Sequence, residues 1–175
     1  SVYTRIKQKY PSVTGPIIVH RLDMSTSGIL VLTKTKEANK ILQQQFIKRT
    51  VKKRYVALLS GKVSEKKGTI TLPLRLDLDD RPRQLVDFKN GKAAKTNWTI
   101  ISENNTYTRI HFYPVTGRTH QLRVHAAHKD GLNLPIIGDD LYGTKQDRLY
   151  LHADFIEFIH PTSKNKINFT IPSDF

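Results

Sequence analysis

Three stretches of this chain place ionisable and hydroxyl side chains close enough together to do chemistry. The first is His20-Arg21-Leu22-Asp23-Met24-Ser25-Thr26-Ser27-Gly28, a polar insertion between two short apolar runs. A carboxylate two positions from a guanidinium can serve there as nucleophile or base, and loops carry such residues more often than cores do. The same Asp-x-Ser-x-Ser spacing is also ordinary turn chemistry, in which short side chains bond the backbone. Taken alone, the loop reads as a turn.

The second stretch is Thr116-Gly117-Arg118-Thr119-His120-Gln121-Leu122-Arg123-Val124-His125, two Arg and two His packed into a strand-to-helix transition. Thr119 is expected to cap the helix, whose first-turn amides and dipole favour an anion. The segment suits a phosphate or a carboxylate from elsewhere in the fold, and equally a capped basic helix facing solvent. The third is Lys52-Lys53-Arg54-Tyr55. An aromatic ring among cations can stack on a base while the cations meet phosphates, although a strand Tyr is commonly a core residue.

Two other groups invite a metal. His120, His125 and His128 lack a Cys partner and a Glu at the zinc-deaminase spacing. Asp77, Asp79 and Asp80 lie beside Arg75, Arg81 and Arg83, which partly neutralise them, and Pro82 marks a loop. No metal site is expected at either place, although a nuclease using Asp77 to Asp80 remains a distinct reading.

These residues need a scaffold, and the sequence indicates one. Val2, Tyr3, Ile6 and Tyr10 recur at helical spacing before Pro11. Ile17 to Val19 reads as a strand entering the first loop, and Ile29 to Leu32 as a buried strand leaving it. Ala38, Ile41, Leu42 and Phe46 trace an amphipathic helix. Val51 to Ser60, Ile70 to Leu74, Asn97 to Ser102 and Thr108 to Tyr113 read as strands, with a turn at Glu103-Asn104-Asn105. His120 to Lys129 reads as a helix stopped by Gly131, and Leu149 to Ile159 with Ile167 to Ile171 as a hairpin. Hairpins outnumber crossovers, so the expected class is α+β around a largely antiparallel sheet.

Composition narrows the partner. Twenty-nine Lys and Arg against 15 Asp and Glu leave a net charge of +14 among 175 residues, spread along the chain. Self-repulsion on that scale points to a polyanion partner. The absence of cysteine rules out disulfides and thiolate metal sites. Apolar runs fall far short of the roughly 20 residues that span a bilayer. No secretory signal opens the chain, so no membrane partner and a cytoplasmic location are expected. Residue 1 is Ser, which suggests a chain processed or cut from something longer.

Together these motifs closely resemble the RluA-type pseudouridine synthase family. The resemblance runs through His20-Arg-Leu-Asp23-x-x-Thr26-Ser-Gly28, Lys34-Thr35, Lys53-x-Tyr55, Gly91-Lys92-x-Ala94-x-Thr96 and Thr116 to His125. It continues through Pro135-Ile-Ile-Gly-Asp139, Leu141-Tyr142-Gly143, Leu151-His152-Ala153 and His160-Pro161. The motifs are colinear and cover the chain from about Pro16 onward. Arg81-Pro82-Arg83-Gln84 resembles the RluA subgroup, which is associated with large-subunit rRNA and the tRNA anticodon stem-loop.

The resemblance implies a pseudouridine-synthase-like fold, a largely antiparallel mixed sheet with flanking helices and a central active-site cleft. Residues 1–175 are expected to form one catalytic domain, a monomer, lacking the strands that usually precede it. The reaction breaks the N-glycosidic bond, turns the uracil and rejoins it to ribose through carbon, which needs no cofactor. By resemblance, Asp23 is the catalytic carboxylate and Arg123 the guanidinium that keeps it ionised. Tyr55 stacks on the target uracil and assists proton removal. Arg21 enters the space left by the flipped uridine. Arg118 and His120 touch RNA or brace the pocket, Leu122 walls it, and His20, Thr26, Lys53 and Arg83 join the RNA-binding set. The alternative from another class is a non-catalytic RNA-binding module, for which Asp23 would have no use.

Overall fold

The computed structural model describes residues 1–175. Helix α1 (Val2–Lys9) is capped by Ser1, whose hydroxyl accepts the Thr4 amide, and it stops before Pro11. Helix α2 (Lys36–Ile47) is capped in the same way by Thr35, and its apolar stripe buries Leu42. The remaining elements are strands β1 (Ser27–Gly28), β2 (Lys52–Ser60), β3 (Lys67–Ile70), β4 (Leu74–Leu76) and β5 (Gln84–Val86). They continue with β6 (Thr96–Glu103), β7 (Tyr107–Pro114), helix α3 (Gln121–Ala127), β8 (Leu151–Ile159) and β9 (Lys166–Thr170).

Seven strands form one sheet in the order β1-β8-β2-β7-β6-β3, with β9 also paired to β8, while β4 and β5 form a separate hairpin. Every pairing is antiparallel except β1 with β8. The α+β reading therefore holds. Alternation along β2 and β7 sends Ala57, Leu59, Ile110 and Phe112 to one face, where they pack with Trp98 and with Leu122 and Ala126 of α3. A second cluster, Leu42, Val51, Ile156 and Phe158, fastens α2 to the same sheet. The two clusters hold α2, the sheet and α3 in fixed relation, and Val19, Ile29 and Val31, which flank the first polar loop, pack on the second. No helix of the fold is long and apolar enough to cross a membrane.

Three expected elements come out differently. Ile17 to Val19 and Ile29 to Leu32 are not ladder strands; only a bridge between Ile18 and Leu32 joins them. Side chains take the backbone groups that a ladder would use. Asn39 Nδ2 donates to the carbonyls of Pro16 and Ile18, at 3.0 and 3.2 Å, and Thr33 Oγ1 donates to that of Pro16 at 2.9 Å. Regular structure near Ile29 is confined to Ser27 and Gly28. The run from Ile70 to Leu74 breaks at Pro73, which cannot donate to a ladder, and divides into β3 and β4. Thr119 does not cap α3. The capping position falls to His120, in the left-handed region at φ 52° with no side-chain bond to the helix.

Candidate active site

Asp23 opens a tight turn closed by the Thr26 amide on the Asp23 carbonyl at 2.9 Å. Both ends of the loop are fixed. On the far side, Ser27 and Gly28 run parallel to His152 and Ala153. Gly28 adopts φ 112°, and a Cβ there would drive into the Ala153 carbonyl, so only glycine fits. On the near side, His20 Nε2 accepts the Val31 amide at 2.9 Å, and its ring stacks on Phe46 with centroids 4.8 Å apart. Burial, assisted by the charge of Lys53, pushes the His20 pKa down to about 4. His20 is thus a neutral acceptor that closes the loop, with its Nε2 already committed. Arg21 and Met24 remain exposed, and Asp23 is half-buried.

The loop forms one wall of a cavity of about 420 Å³, within the size range of small-molecule sites. Asp23, Arg21, His20 and Thr26 face it from the first loop, Lys53 and Tyr55 from β2, Arg118 from the segment leading into α3 and Leu122 from α3 itself. Ile47, the last residue of α2, and Arg49, just beyond it, also line the cavity. Burial, followed by the Asp23 charge, pushes the Tyr55 pKa up to about 12. Tyr55 is therefore a protonated phenol at neutral pH. Burial also lowers the Lys53 ammonium.

Arg123, His120 and Arg83 lie outside this wall. Arg123 donates from Nε to Asp139 Oδ2 at 2.8 Å and from Nη2 to Asp139 Oδ1 at 2.6 Å, and reaches Asp140 at 2.9 Å. The expected ion pair between Arg123 and Asp23 is absent because the buried Asp139 occupies the guanidinium fork. Burial opposes the charge of Arg123, but bonds to Asp139, the Asp140 charge and finally the Asp23 charge raise its pKa. Asp23 and Arg123 influence one another only through space.

The Arg123 partner is itself well held. Asp139 Oδ1 accepts the amides of Leu141 and Tyr142, each at 3.0 Å. The Tyr142 hydroxyl accepts the Gln84 amide at 2.7 Å, so its own proton goes to His120 Nδ1, 2.8 Å away. Burial lowers the His120 pKa, consistent with a neutral ring that accepts there. The guanidinium carbons of Arg123 and Arg83 lie 5.3 and 6.0 Å from the Tyr142 ring centroid. Asp139 and Tyr142 were quoted as motif members in the sequence reading but given no role there.

Gln121 was likewise unassigned. It is buried and uses all its polar capacity: Oε1 accepts from Thr116 Oγ1 and from the Arg118 amide, at 2.7 and 3.0 Å. Its Nε2 donates to the Lys95 carbonyl and Thr96 Oγ1, at 3.0 and 2.9 Å. Gln121 thereby fixes the loop from Thr116 to Arg118 that forms the second wall. The suspected metal groups have other work. His125 is buried between Thr96 Oγ1 and the Leu72 carbonyl. Asp77 accepts the amides of Asp79 and Asp80, and Asp80 pairs with Arg83.

A family model described as RNA pseudouridylate synthase matches residues 1–128. The dual-specificity RNA pseudouridine synthases RluA of Salmonella typhi and of Escherichia coli strain K12 are each 41% identical to this chain, covering 100% of it and 80% of their own length. The RluA of Haemophilus ducreyi is 42% identical, with 100% and 80% covered. Human RNA Pseudouridylate Synthase Domain Containing 1 superposes with a TM-score of 0.84 at 28% identity, over 100% of this chain and 75% of that one. Human RNA Pseudouridylate Synthase Domain Containing 4 shares the fold, with a TM-score of 0.77 at 23% identity over 95% of this chain and 75% of that one.

Proposed function

The chain belongs to the RNA pseudouridylate synthase family and isomerises uridine to pseudouridine in RNA, and from that premise we propose that Asp23 is the carboxylate that does so. The observation that carries this reading is the meeting of Asp23 and Tyr55 across one cavity, close enough for the Asp23 charge to raise the tyrosine pKa. The two come from unrelated elements, a turn and a strand, and an acid facing a ring is what a flipped nucleobase with its ribose requires.

In this reading the uridine leaves its helix, Tyr55 stacks on the uracil, and the Asp23 carboxylate acts on the ribose or its adjacent proton. Arg21, exposed beside Asp23, fills the gap left in the RNA and offsets part of an unstacking cost of a few kcal/mol. Thr26 and Leu122 shape the wall. Lys53, Arg118 and Arg49 supply cations at the mouth. His20, Gln121 and the Arg123–Asp139 pair hold the walls, while His120 and Arg83 support Tyr142.

The relatives are named dual-specificity enzymes; with the subgroup resemblance at Arg81 to Gln84, this supports action of this chain on two kinds of RNA, rRNA and tRNA stem-loops, as a monomer in the cytoplasm. Incubating the purified chain with deproteinised rRNA and tRNA, then mapping new pseudouridines, tests this directly. New sites are expected in both. Modification of one RNA class alone would remove the dual specificity, and modification of neither would remove the reading.

A further inference from the structure

Ser27 lies four residues beyond Asp23, and its hydroxyl joins a network that reaches the end of the chain. Ser27 Oγ is 2.8 Å from His152 Nδ1, and His152 Nε2 is 3.1 Å from the carbonyl of Ile171. A carbonyl only accepts, so Nε2 carries a ring proton; in the neutral ring Nδ1 then accepts from Ser27, whose hydroxyl also lies 3.5 Å from the Leu151 carbonyl. Arg148 donates to Ser27 Oγ from Nη2 at 3.2 Å and to Asp174 from Nη1 at 2.7 Å. Its guanidinium also lies over Phe175, whose ring meets Tyr150 edge-on. Arg109 holds Ser173 at 3.0 Å. His152 is only 8% exposed, so the link between Ser27 and residues 171–175 passes through the interior.

The turn from Asp23 to Thr26 has little packing of its own on the solvent side, where Met24 is fully exposed. Its position is set by its two ends. His20 holds one through Val31, and Ser27 holds the other.

We propose that His152 is a positioning residue for uridine isomerisation: its ring transmits the placement of the strap formed by residues 171–175, through Ser27, to the turn that carries Asp23. The proposal rests on the reading of Asp23 as the catalytic carboxylate. A displacement of about 1 Å in a reacting group costs up to about a hundredfold in rate, which is the scale on which such a strap acts.

The full chain can be tested with two histidine variants that separate the ring nitrogens. His152→Asn keeps an amide near the Nδ1 position and so keeps a partner for Ser27. His152→Gln reaches the Nε2 position and takes the ring partner from Ser27, leaving it Arg148 and the Leu151 carbonyl 3.5 Å away. Single-turnover tritium release from uridine labelled at carbon five is measured beside RNA affinity and the melting temperature. Ser27→Ala and His152→Gln are expected to lose about tenfold or more in rate. RNA binding should stay within about twofold in both, and Ser27→Thr should recover most of the loss, whereas His152→Asn, which keeps Ser27 but frees the Ile171 carbonyl, should be slow as well. Rates of Ser27→Ala and His152→Gln close to the parent's would overturn the proposal, and so would a folded His152→Asn as fast as the parent, since nothing would then pass through the ring from the strap. Should Ser27→Ala melt below the assay temperature, Ser27→Cys, of similar size but a weak donor, reads the same contact against Ser27→Thr. Asp23→Asn run in parallel separates the two ideas. An active Asp23→Asn removes the catalytic reading itself, whereas an inactive one beside a normal Ser27→Ala removes only the strap.

Discussion

Arg123 and Asp139 form a two-pronged ion pair that is almost wholly out of water, with side-chain exposures of 4% and 0%. The guanidinium that sequence reasoning gave to Asp23 is held by a carboxylate 16 residues further along the chain. Through two more backbone amides, Asp139 also fixes Leu141 and Tyr142, so the pair acts as the keystone behind the pocket.

Asp139→Asn should therefore be felt first as lost stability. Removing one partner of a buried pair costs about 3–5 kcal/mol when the other charge is left alone, and Asp140, 2.9 Å from Arg123, offsets part of that here. For a chain of this size that corresponds to a fall in melting temperature of roughly 10 °C. Replacing both residues, as Arg123→Met with Asp139→Asn, should destabilise less than Asp139→Asn alone, because no charge is left behind and the amide oxygen can still accept from Leu141 and Tyr142. Thermal scans of the three proteins decide it; an Asp139→Asn that melts with the parent would show that the pair supports nothing.

Asp23→Asn changes the charge and almost nothing in shape. Asp23 makes no ion pair with Arg123, so the variant should fold normally and bind RNA within a few-fold. Pseudouridine formation should fall to background, because neither attack on ribose nor abstraction of a ribose proton is open to an amide. Appreciable tritium release by the variant would sink the assignment.

The contrast between these two residues shows what the sequence could reveal. Helix α2 was readable because its apolar positions recur at helical spacing, while its Thr35 cap emerges only in the structure. The Asp23 loop was readable only as one member of an ordered series of motifs, since alone it resembles any turn. Ile17 to Val19 and Ile29 to Leu32 have strand composition, but Asn39, Thr33 and His20 take up their backbone groups from a distance, and periodicity carries no trace of that. The partners of Arg123 and Ser27 are long-range choices of the same kind. Ser27 meets a histidine 125 residues away, a contact that only the parallel pairing of β1 with β8 creates.

Tyr55 offers a test of what its hydroxyl does. With the pKa pushed up to about 12 by burial and then by Asp23, the phenol stays protonated across the working range. Tyr55→Phe should bind RNA as the parent does and turn over about tenfold more slowly, a modest share of what a positioned proton donor contributes. The shape of the rate profile between about pH 6 and pH 10 should be the same in both proteins, since the phenol titrates above that window. An unchanged rate would show that the ring suffices.

Binding should also report the cations at the mouth. Arg21, Arg49, Lys53 and Arg118 all face the cavity. If each meets a phosphate of unpaired RNA, the logarithm of the binding constant should fall against the logarithm of salt with a slope of about −3. Arg49→Gln should reduce that slope by somewhat less than one unit. An affinity that barely changes between low and moderate salt would exclude a backbone footprint of this size.

Finally, two neutral histidines predict an acid limit to stability. Burial, followed by the Lys53 charge, pushes His20 down to about 4; burial likewise pushes His125, which is 0% exposed, down to about 4. Both are lowered from 6.5, so between those values the unfolded chain binds protons that the folded chain refuses. Stability is then complete above the unfolded value and is lost as pH falls from about 6.5 toward about 4. Between pH 7 and pH 5, His125 alone accounts for a loss of about 2 kcal/mol, and the partly buried His20 for less. Urea midpoints for the parent and for His125→Gln at the two pH values isolate the contribution. The glutamine can still bond Thr96 but does not titrate, so its stability should fall less on acidification. Equal falls in both proteins would mean that His125 takes up its proton without unfolding the chain.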